Sequence, residues 1–128
     1  MLEEPELKIG SVVIDCVNFN KMLAFWQEAL HYKTARKLTE IIAEGWVVLR
    51  DPAGRNTNVS LNRVQPSEKL TGRNWVHFDL YTRDQKGEVE RLLKLGATRH
   101  PQEYDPDDDF IVLEDPDGNL FCVVDTTK

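Results

Sequence analysis

The hydrophobic positions of this chain follow the spacing of a β-strand and then the spacing of an α-helix, and this order occurs twice. A strand-like run over residues 8–16 precedes an apolar stripe at helical spacing, formed by Met22, Phe25, Trp26, Ala29 and Leu30. A second strand-like run over residues 74–82 precedes a second helix-like run over residues 88–95. The pattern therefore predicts a strand followed by a helix in each half of the chain.

Three shorter β-forming runs, separated by turn residues, follow each predicted helix. They are predicted at 33–40, 46–51 and 57–64 in the first half, and at 98–104, 109–114 and 120–125 in the second. Residues 65–73 between the halves are polar and contain Pro66 and Gly72, which predicts a linker. The predicted fold class is α+β: two tandem βαβββ modules, at about 8–64 and 74–126, form a curved mixed sheet around a central cleft.

A repeated turn motif supports duplication of one half. Asp51-Pro52-Ala53-Gly54 returns 64 positions later (115 − 51) as Asp115-Pro116-Asp117-Gly118. In each copy proline fixes φ and glycine accepts a positive φ, as a tight turn requires. The repeat predicts one pseudo-symmetric domain over residues 1–128, with the site in the cleft between the two halves.

Charge and composition exclude several classes of function. The formal net charge is −6, and no basic run supplies the positive footprint that nucleic acid requires. The acidic N-terminal residues do not form a signal peptide, and no apolar run approaches the roughly 20 residues that span a bilayer. We therefore expect a cytoplasmic protein with no nucleic-acid or membrane partner, in which Cys16 and Cys122 are free thiols.

Alternation along the strands predicts which side chains share the face of the cleft. The opposite face is uniformly apolar, as strands that pack under helices should be, and includes Val59, Leu61, Phe78 and Val123. The face of the cleft is polar and aromatic, which is typical of pockets for small organic ligands. Its predicted catalytic residues are His77, Asp79 and Tyr81, and its predicted ligand-binding residues are Trp46, Arg50, Asn62, Trp75, Ser11, Asp15, Ser60 and Cys122.

Each of these candidates also has a purely structural interpretation. His77 and Asp79 lie two residues apart on one strand face, so they form either an acid/base pair or a satisfied polar network. Tyr81 and Trp46 either stack on a flat ligand or pack in the core. Arg50 either binds an anionic group or pairs with a surface carboxylate.

The paired modules and their motifs resemble the vicinal oxygen chelate superfamily, which has the glyoxalase/bleomycin-resistance fold. The resemblance covers about residues 8–126. It depends on Phe25-Trp26 after the first strand, on His77 seven residues before Asp84, and on Asp115-Pro116-Asp117-Gly118-Asn119 before the last strand. The same fold carries lyases, isomerases, dioxygenases and drug-binding proteins, so the resemblance implies a fold more specifically than a reaction.

The resemblance also implies four positions for metal ligands, one on each of four strands. They correspond here to Ser11, Ser60, His77 and Cys122. Neutral serine hydroxyls are poor ligands for a divalent ion, and one histidine with one cysteine leaves half of the coordination shell unfilled. We therefore expect neither a metal nor any other cofactor.

The sequence predicts a glyoxalase-like protein that binds a small organic molecule in the cleft between its sheets. If the protein is an enzyme, the expected class is a metal-independent lyase or isomerase with His77 as acid/base, assisted by Asp79 or Tyr81. The alternative is a protein that sequesters an aromatic compound or antibiotic without chemistry. By analogy with similar proteins, we expect a homodimer.

Overall fold

A computed structural model describes residues 11–66 and 77–128 of the chain. Contacts divide the chain into two compact units, Met1–Pro66 and Ser67–Lys128. This boundary falls inside the predicted linker 65–73, and the prediction that residues 1–128 form a single domain stays a prediction. Trp75, and the ends of the predicted strands at 8–10 and 74–76, lie outside the described residues.

The first unit is a three-stranded sheet with two helices. Its elements are β1 (Ser11–Cys16), α1 (Phe19–Leu30), α2 (Leu38–Glu44), β2 (Trp46–Leu49) and β3 (Asn58–Arg63). The strand order is β1-β3-β2, with β1 parallel and β2 antiparallel to β3. Helix α1 packs on β3 and buries Met22, Phe25, Trp26 and Ala29 of the predicted apolar stripe, whereas Leu30 is partly exposed.

The second unit repeats this plan with one helix and a four-stranded sheet. Its elements are β4 (Phe78–Thr82), α3 (Gln85–Leu95), β5 (Thr98–Arg99), β6 (Phe110–Glu114) and β7 (Leu120–Asp125). The strand order is β4-β7-β6-β5, and β4 is parallel to β7 as β1 is to β3. The α+β class with two βαβββ-like modules is therefore confirmed.

The strand predicted at 33–40 is wrong. Lys33 forms only an isolated bridge with Arg50, and helix α2 begins at Leu38. The helix extends past the end of the predicted strand, and Ile41 is buried on one of its sides. Arg36 binds Glu44 at 2.8 Å across the length of that helix, which stabilises it against an extended alternative.

The strand predicted at 98–104 ends after Arg99. Pro101 has no backbone N–H, so it cannot donate to a strand ladder. The hydroxyl of Tyr104 instead accepts a hydrogen bond from the backbone N–H of Val112 at 2.9 Å. A side chain thus replaces the strand partner along this part of β6.

Both Asp-Pro-x-Gly segments are turns, as predicted. The N–H of Gly54 donates to the carbonyl of Asp51, and the N–H of Gly118 donates to that of Asp115, each at 2.9 Å. Each aspartate side chain also accepts from the backbone N–H two residues later. At Asp51 that bond, with further N–H donors from Arg55 and Asn56, lowers the pKa of the carboxyl group.

The predicted alternation of buried and open positions is confirmed in β2, β3 and β7. Val47, Leu49, Val59, Leu61, Phe121 and Val123 are buried. Their neighbours on the other face are more accessible, with the exception of Ser60, which is fully buried. Each sheet therefore has an apolar face towards its helix and an open face that is available for a site.

None of the helices in the described ranges is long and apolar enough to cross a bilayer.

Candidate functional site

Three chemically different side chains meet at the start of the β4–β7 strand pair. Asp79 on β4 and Cys122 on β7 are register partners, and His77 lies two residues before Asp79 on the same side of the chain. One donor atom from each of the three lies within 4.8 Å of the others. We call His77, Asp79 and Cys122 the donor cluster.

Asp79 links the other two members of the donor cluster. Its Oδ1 atom lies 3.3 Å from Nε2 of His77, and the side chains of both residues are about half exposed, at 50% and 51%. A carboxylate only accepts hydrogen bonds, so a proton on Nε2 of a neutral imidazole would face Asp79. In that tautomer Nδ1 would carry the lone pair that can accept a proton from a ligand.

Cys122 is a neutral thiol in this arrangement. Burial raises its pKa, and so do the negative charge of Asp79 and a hydrogen bond to that carboxylate. The thiol therefore stays protonated at neutral pH and donates to Asp79. This shift is opposite to that of nucleophilic cysteines, whose pKa is lowered.

An aromatic surface extends from the donor cluster along the same face of the sheet. Tyr81 is the next residue on this side of β4, and its side chain is 74% exposed. In register, Tyr81 pairs with Val124, which pairs with Phe110 on β6, so these three side chains share a face. We call the donor cluster with Tyr81 and Phe110 the β4–β7 face.

Sequence reasoning missed Phe110 and Tyr104. The rings of these two residues meet edge-on, with centroids 5.9 Å apart. Alternation in β6 could have identified Phe110, because it lies on the same side as Val112, the register partner of Cys122. Tyr104 lies in a loop, and no periodic signal marks its position.

Four other predicted site residues lie on or directly beside the open face of the first sheet: Asp15, Asn62, Trp46 and Arg50. Asp15, Asn62 and Trp46 are register partners across β1, β3 and β2, and the Asn62 amide donates to the Asp15 carboxylate at 3.2 Å. Arg50 follows β2 and is exposed, and its backbone pairs with Lys33. These residues form a polar surface with one half-exposed tryptophan.

Ser11 and Ser60 do not suit a metal ion. Their hydroxyl oxygens lie 2.5 Å apart and hydrogen-bond to each other, and the Ser11 hydroxyl also donates to the Asn58 carbonyl. Ser60 is fully buried. The quartet of Ser11, Ser60, His77 and Cys122 that the family resemblance implies therefore does not fit a divalent ion, and we derive no chemistry from it.

Comparison with known proteins gives a match to one family over nearly the whole chain. A family model described as a glyoxalase-like domain matches residues 11–124. No curated protein sequence matches the chain significantly.

Solved structures share the fold at low sequence identity. A glyoxalase/bleomycin resistance protein/dioxygenase family enzyme from Burkholderia phytofirmans is 19% identical, with a TM-score of 0.66, 91% of this chain covered and 97% of that one. The trypanothione-dependent glyoxalase I of Leishmania major is 16% identical, with a TM-score of 0.66 and coverage of 95% and 89%. The fosfomycin resistance protein FosX of Listeria monocytogenes, solved with Mn(II) and a dihydroxypropylphosphonic acid, is 16% identical, with a TM-score of 0.69 and coverage of 95% and 91%.

Proposed function

Because this chain belongs to the glyoxalase-like domain family, we propose that it binds a small organic molecule on the β4–β7 face and transfers a proton at His77. The single observation that carries the proposal is the 3.3 Å contact between His77 Nε2 and Asp79 Oδ1 on an open sheet face. A histidine held by a carboxylate is a common general acid/base in enzymes.

The roles follow from the contacts within the donor cluster. Asp79 holds the imidazole ring through Nε2 and stabilises the positive charge that forms when Nδ1 takes a proton. The thiol of Cys122 donates to Asp79 and limits the rotation of its carboxylate. The chemistry available to such a group is removal and return of a proton next to a carbonyl or similar function, as in a lyase or isomerase.

Tyr81 and Phe110 favour a ligand that has an apolar, flat component. A tyrosine ring that is 74% exposed on a sheet face offers both a stacking surface and a hydroxyl. We infer that the ligand carries a ring or another planar group beside its acidic C–H bond.

The second candidate function is sequestration without chemistry. The aromatic side chains of the β4–β7 face would suffice to hold a planar compound, and one structural neighbour is named as a fosfomycin resistance protein. In that case His77 would be one hydrogen-bonding group among several.

Hydrogen exchange at carbon can separate the two candidate functions. Planar carbonyl compounds that bind the protein would be identified by NMR in buffer with a chelator, and loss of their C–H signals would then be followed in D₂O. We expect the wild-type protein to catalyse this exchange and His77→Ala to reduce the rate about 100-fold or more, with affinity changed only a few-fold. His31→Gly, which removes an exposed histidine of the first unit, should leave the rate unchanged.

Two outcomes would contradict proton transfer. Compounds that bind without any exchange would leave sequestration as the function. An exchange rate that is unchanged in His77→Ala would mean that another residue is the base.

A further inference from the structure

The donor cluster combines the ligand types that zinc prefers. Imidazole nitrogen, carboxylate oxygen and cysteine sulfur are the three side-chain donors that zinc uses in proteins. Among the described residues, His77, Asp79 and Cys122 are the group of histidine, cysteine and acidic side chains close enough to share one ion. They come from two adjacent strands of one unit.

We propose that Nε2 of His77, a carboxylate oxygen of Asp79 and Sγ of Cys122 form a binding site for a thiophilic divalent cation, zinc or cobalt, within the second unit. Two of the family's four ligand positions are the mutually bonded serines of the first unit. Asp79, which is not one of those four positions, supplies the third ligand here. This chain therefore lacks two ligands of the family pattern, retains two, and has Asp79 as a third ligand at a new position, so the proposed site lies within the second unit.

The distances suit a tetrahedral ion. Ligand atoms at about 2.0–2.1 Å from zinc, at a tetrahedral angle, lie about 3.3–3.4 Å from each other. Nε2 of His77 and Oδ1 of Asp79 lie 3.3 Å apart. Cys122 is fixed opposite Asp79 by the strand register, and the three donor atoms lie within 4.8 Å of one another, so side-chain rotation can bring all three to one ion.

Charge also favours a divalent ion. The carboxylate of Asp79 and a thiolate at Cys122 together neutralise two positive charges, and the metal displaces the thiol proton when it binds. Three protein ligands leave a fourth position open to water or another small ligand, as in zinc sites that exchange ligands.

Metal binding and proton transfer at His77 exclude each other. In the proposed reaction, Nε2 carries the ring proton towards Asp79 and Nδ1 offers the lone pair. When Nε2 binds a metal, the neutral ring must carry its proton on Nδ1, so the lone pair that accepts a proton is lost. This regulatory consequence rests on the proposed function, whereas the metal site itself does not.

Cobalt titration tests the site without any activity measurement. The full chain is treated with a chelator, exchanged into chelator-free buffer and titrated with Co²⁺, while thiolate-to-cobalt charge transfer is followed by near-ultraviolet absorbance. We expect saturation at one equivalent. Cys122→Ser should abolish the thiolate band, and Asp79→Asn and His77→Ala should each weaken binding about tenfold or more, since loss of even an outer-shell partner costs about 10–100-fold.

Glu88→Gln is the matched control, because Glu88 is also a partly exposed carboxylate of the second unit and has a charged side-chain partner in Arg91. It should leave the titration unchanged. Absence of the band in the wild-type protein, or wild-type cobalt affinity in both Asp79→Asn and His77→Ala, would overturn the site. Circular dichroism verifies that each variant is folded.

The two proposals can fail separately. Exchange catalysis is measured with chelator present, so a protein that binds no cobalt can still catalyse it. Cobalt binding through the donor cluster without any exchange catalysis would support the metal site and contradict the proposed function. If both hold, saturating Zn²⁺ in chelator-free buffer should stop the exchange reaction, and continued exchange under those conditions would overturn the mutual exclusion.

Discussion

At the scale of single residues, Tyr32 shows how a polar group contributes to the core of the first unit. Its side chain is buried just after helix α1, and its hydroxyl donates to the Thr57 carbonyl at 3.0 Å. Burial raises the pKa of this hydroxyl, and the nearby charge of Asp51 raises it further. The neutral, hydrogen-bonded form is therefore the form that the fold stabilises.

We predict that the stabilising effect of Tyr32 disappears at alkaline pH. Tyr32→Phe removes one buried hydrogen bond, so the free energy of unfolding should fall by about 1 kcal/mol at pH 7. A group with a raised pKa in the folded state stabilises the protein fully below its unfolded pKa, about 10 for tyrosine, and this effect is lost as pH rises through the higher folded value.

The difference between wild type and Tyr32→Phe should therefore shrink above about pH 10. Urea unfolding at a series of pH values measures both curves. Parallel stability curves up to pH 11 would contradict the assignment, because they would mean that ionisation of Tyr32 costs the folded state nothing.

The residues of the donor cluster could be predicted only in part. Strand alternation places His77 and Asp79 on one side of β4 and Cys122 on the open side of β7, because the two faces differ so clearly in polarity. Which residue of β7 lies opposite Asp79 depends on the strand order and register, and these come from packing rather than from any local pattern. The contact between Asp79 and Cys122 therefore could not be predicted from the sequence.

At the scale of elements, the two long helices end in the same way with different residues. The N–H of His31 is directed to the carbonyls of Gln27 and Glu28. The N–H of Gly96, 65 positions later in the chain (96 − 31), is directed in the same way to the carbonyls of Leu92 and Leu93. His31 has a φ of 56° and Gly96 a φ of 122°. Glycine accepts these conformations readily, whereas histidine adopts its own at a cost.

We predict opposite effects for substitutions at these two equivalent positions. His31→Gly should raise the free energy of unfolding by about 0.5–1 kcal/mol, because an exposed side chain is removed from a left-handed conformation. Gly96→Ala should lower it by about 1–2 kcal/mol, because a Cβ is strained at that φ. Chemical denaturation measures both values.

Loss of stability on His31→Gly would show that the histidine side chain has a contact worth more than the backbone strain. A neutral Gly96→Ala would show that the helix end can rearrange. Either result would contradict the shared capping geometry of the two helices.

Long periodic elements were predictable from the sequence, and short ones were not. Helix α1 has five apolar residues at helical spacing, and this signal is strong enough to fix its type. Helix α2 has seven residues and buries only Ile41, so no apolar stripe at helical spacing marks it in the sequence. At β5, the effect of Pro101 on the ladder was visible in the sequence, but the replacement bond from Tyr104 was not.

At the scale of the whole molecule, strands in both units alternate between buried and more accessible side chains. In β2 of the first unit Val47 is buried and Val48 is more accessible, and in β7 of the second unit Val123 is buried and Val124 is more accessible. Because a shift of one residue would exchange the two faces, this alternation fixes the register on which both proposals depend. The expected homodimer stays a prediction.

The four valines allow a matched test of the register in both units. Val47→Ala and Val123→Ala remove two buried methyl groups and should each lower the free energy of unfolding by about 2 kcal/mol or more. Val48→Ala and Val124→Ala make the same chemical change on the open faces and should each cost less than about 1 kcal/mol. Denaturation followed by circular dichroism reports on both units together.

The comparison is decisive because chemistry and strand are held constant while only the face changes. A larger loss for Val124→Ala than for Val123→Ala would place the apolar contact on the other side of β7. Cys122 would then face the helix rather than Asp79, and the donor cluster could not form. The same reversal at Val47 and Val48 would move Trp46 and Asn62 away from the open face of the first sheet, since all three strands there share one register.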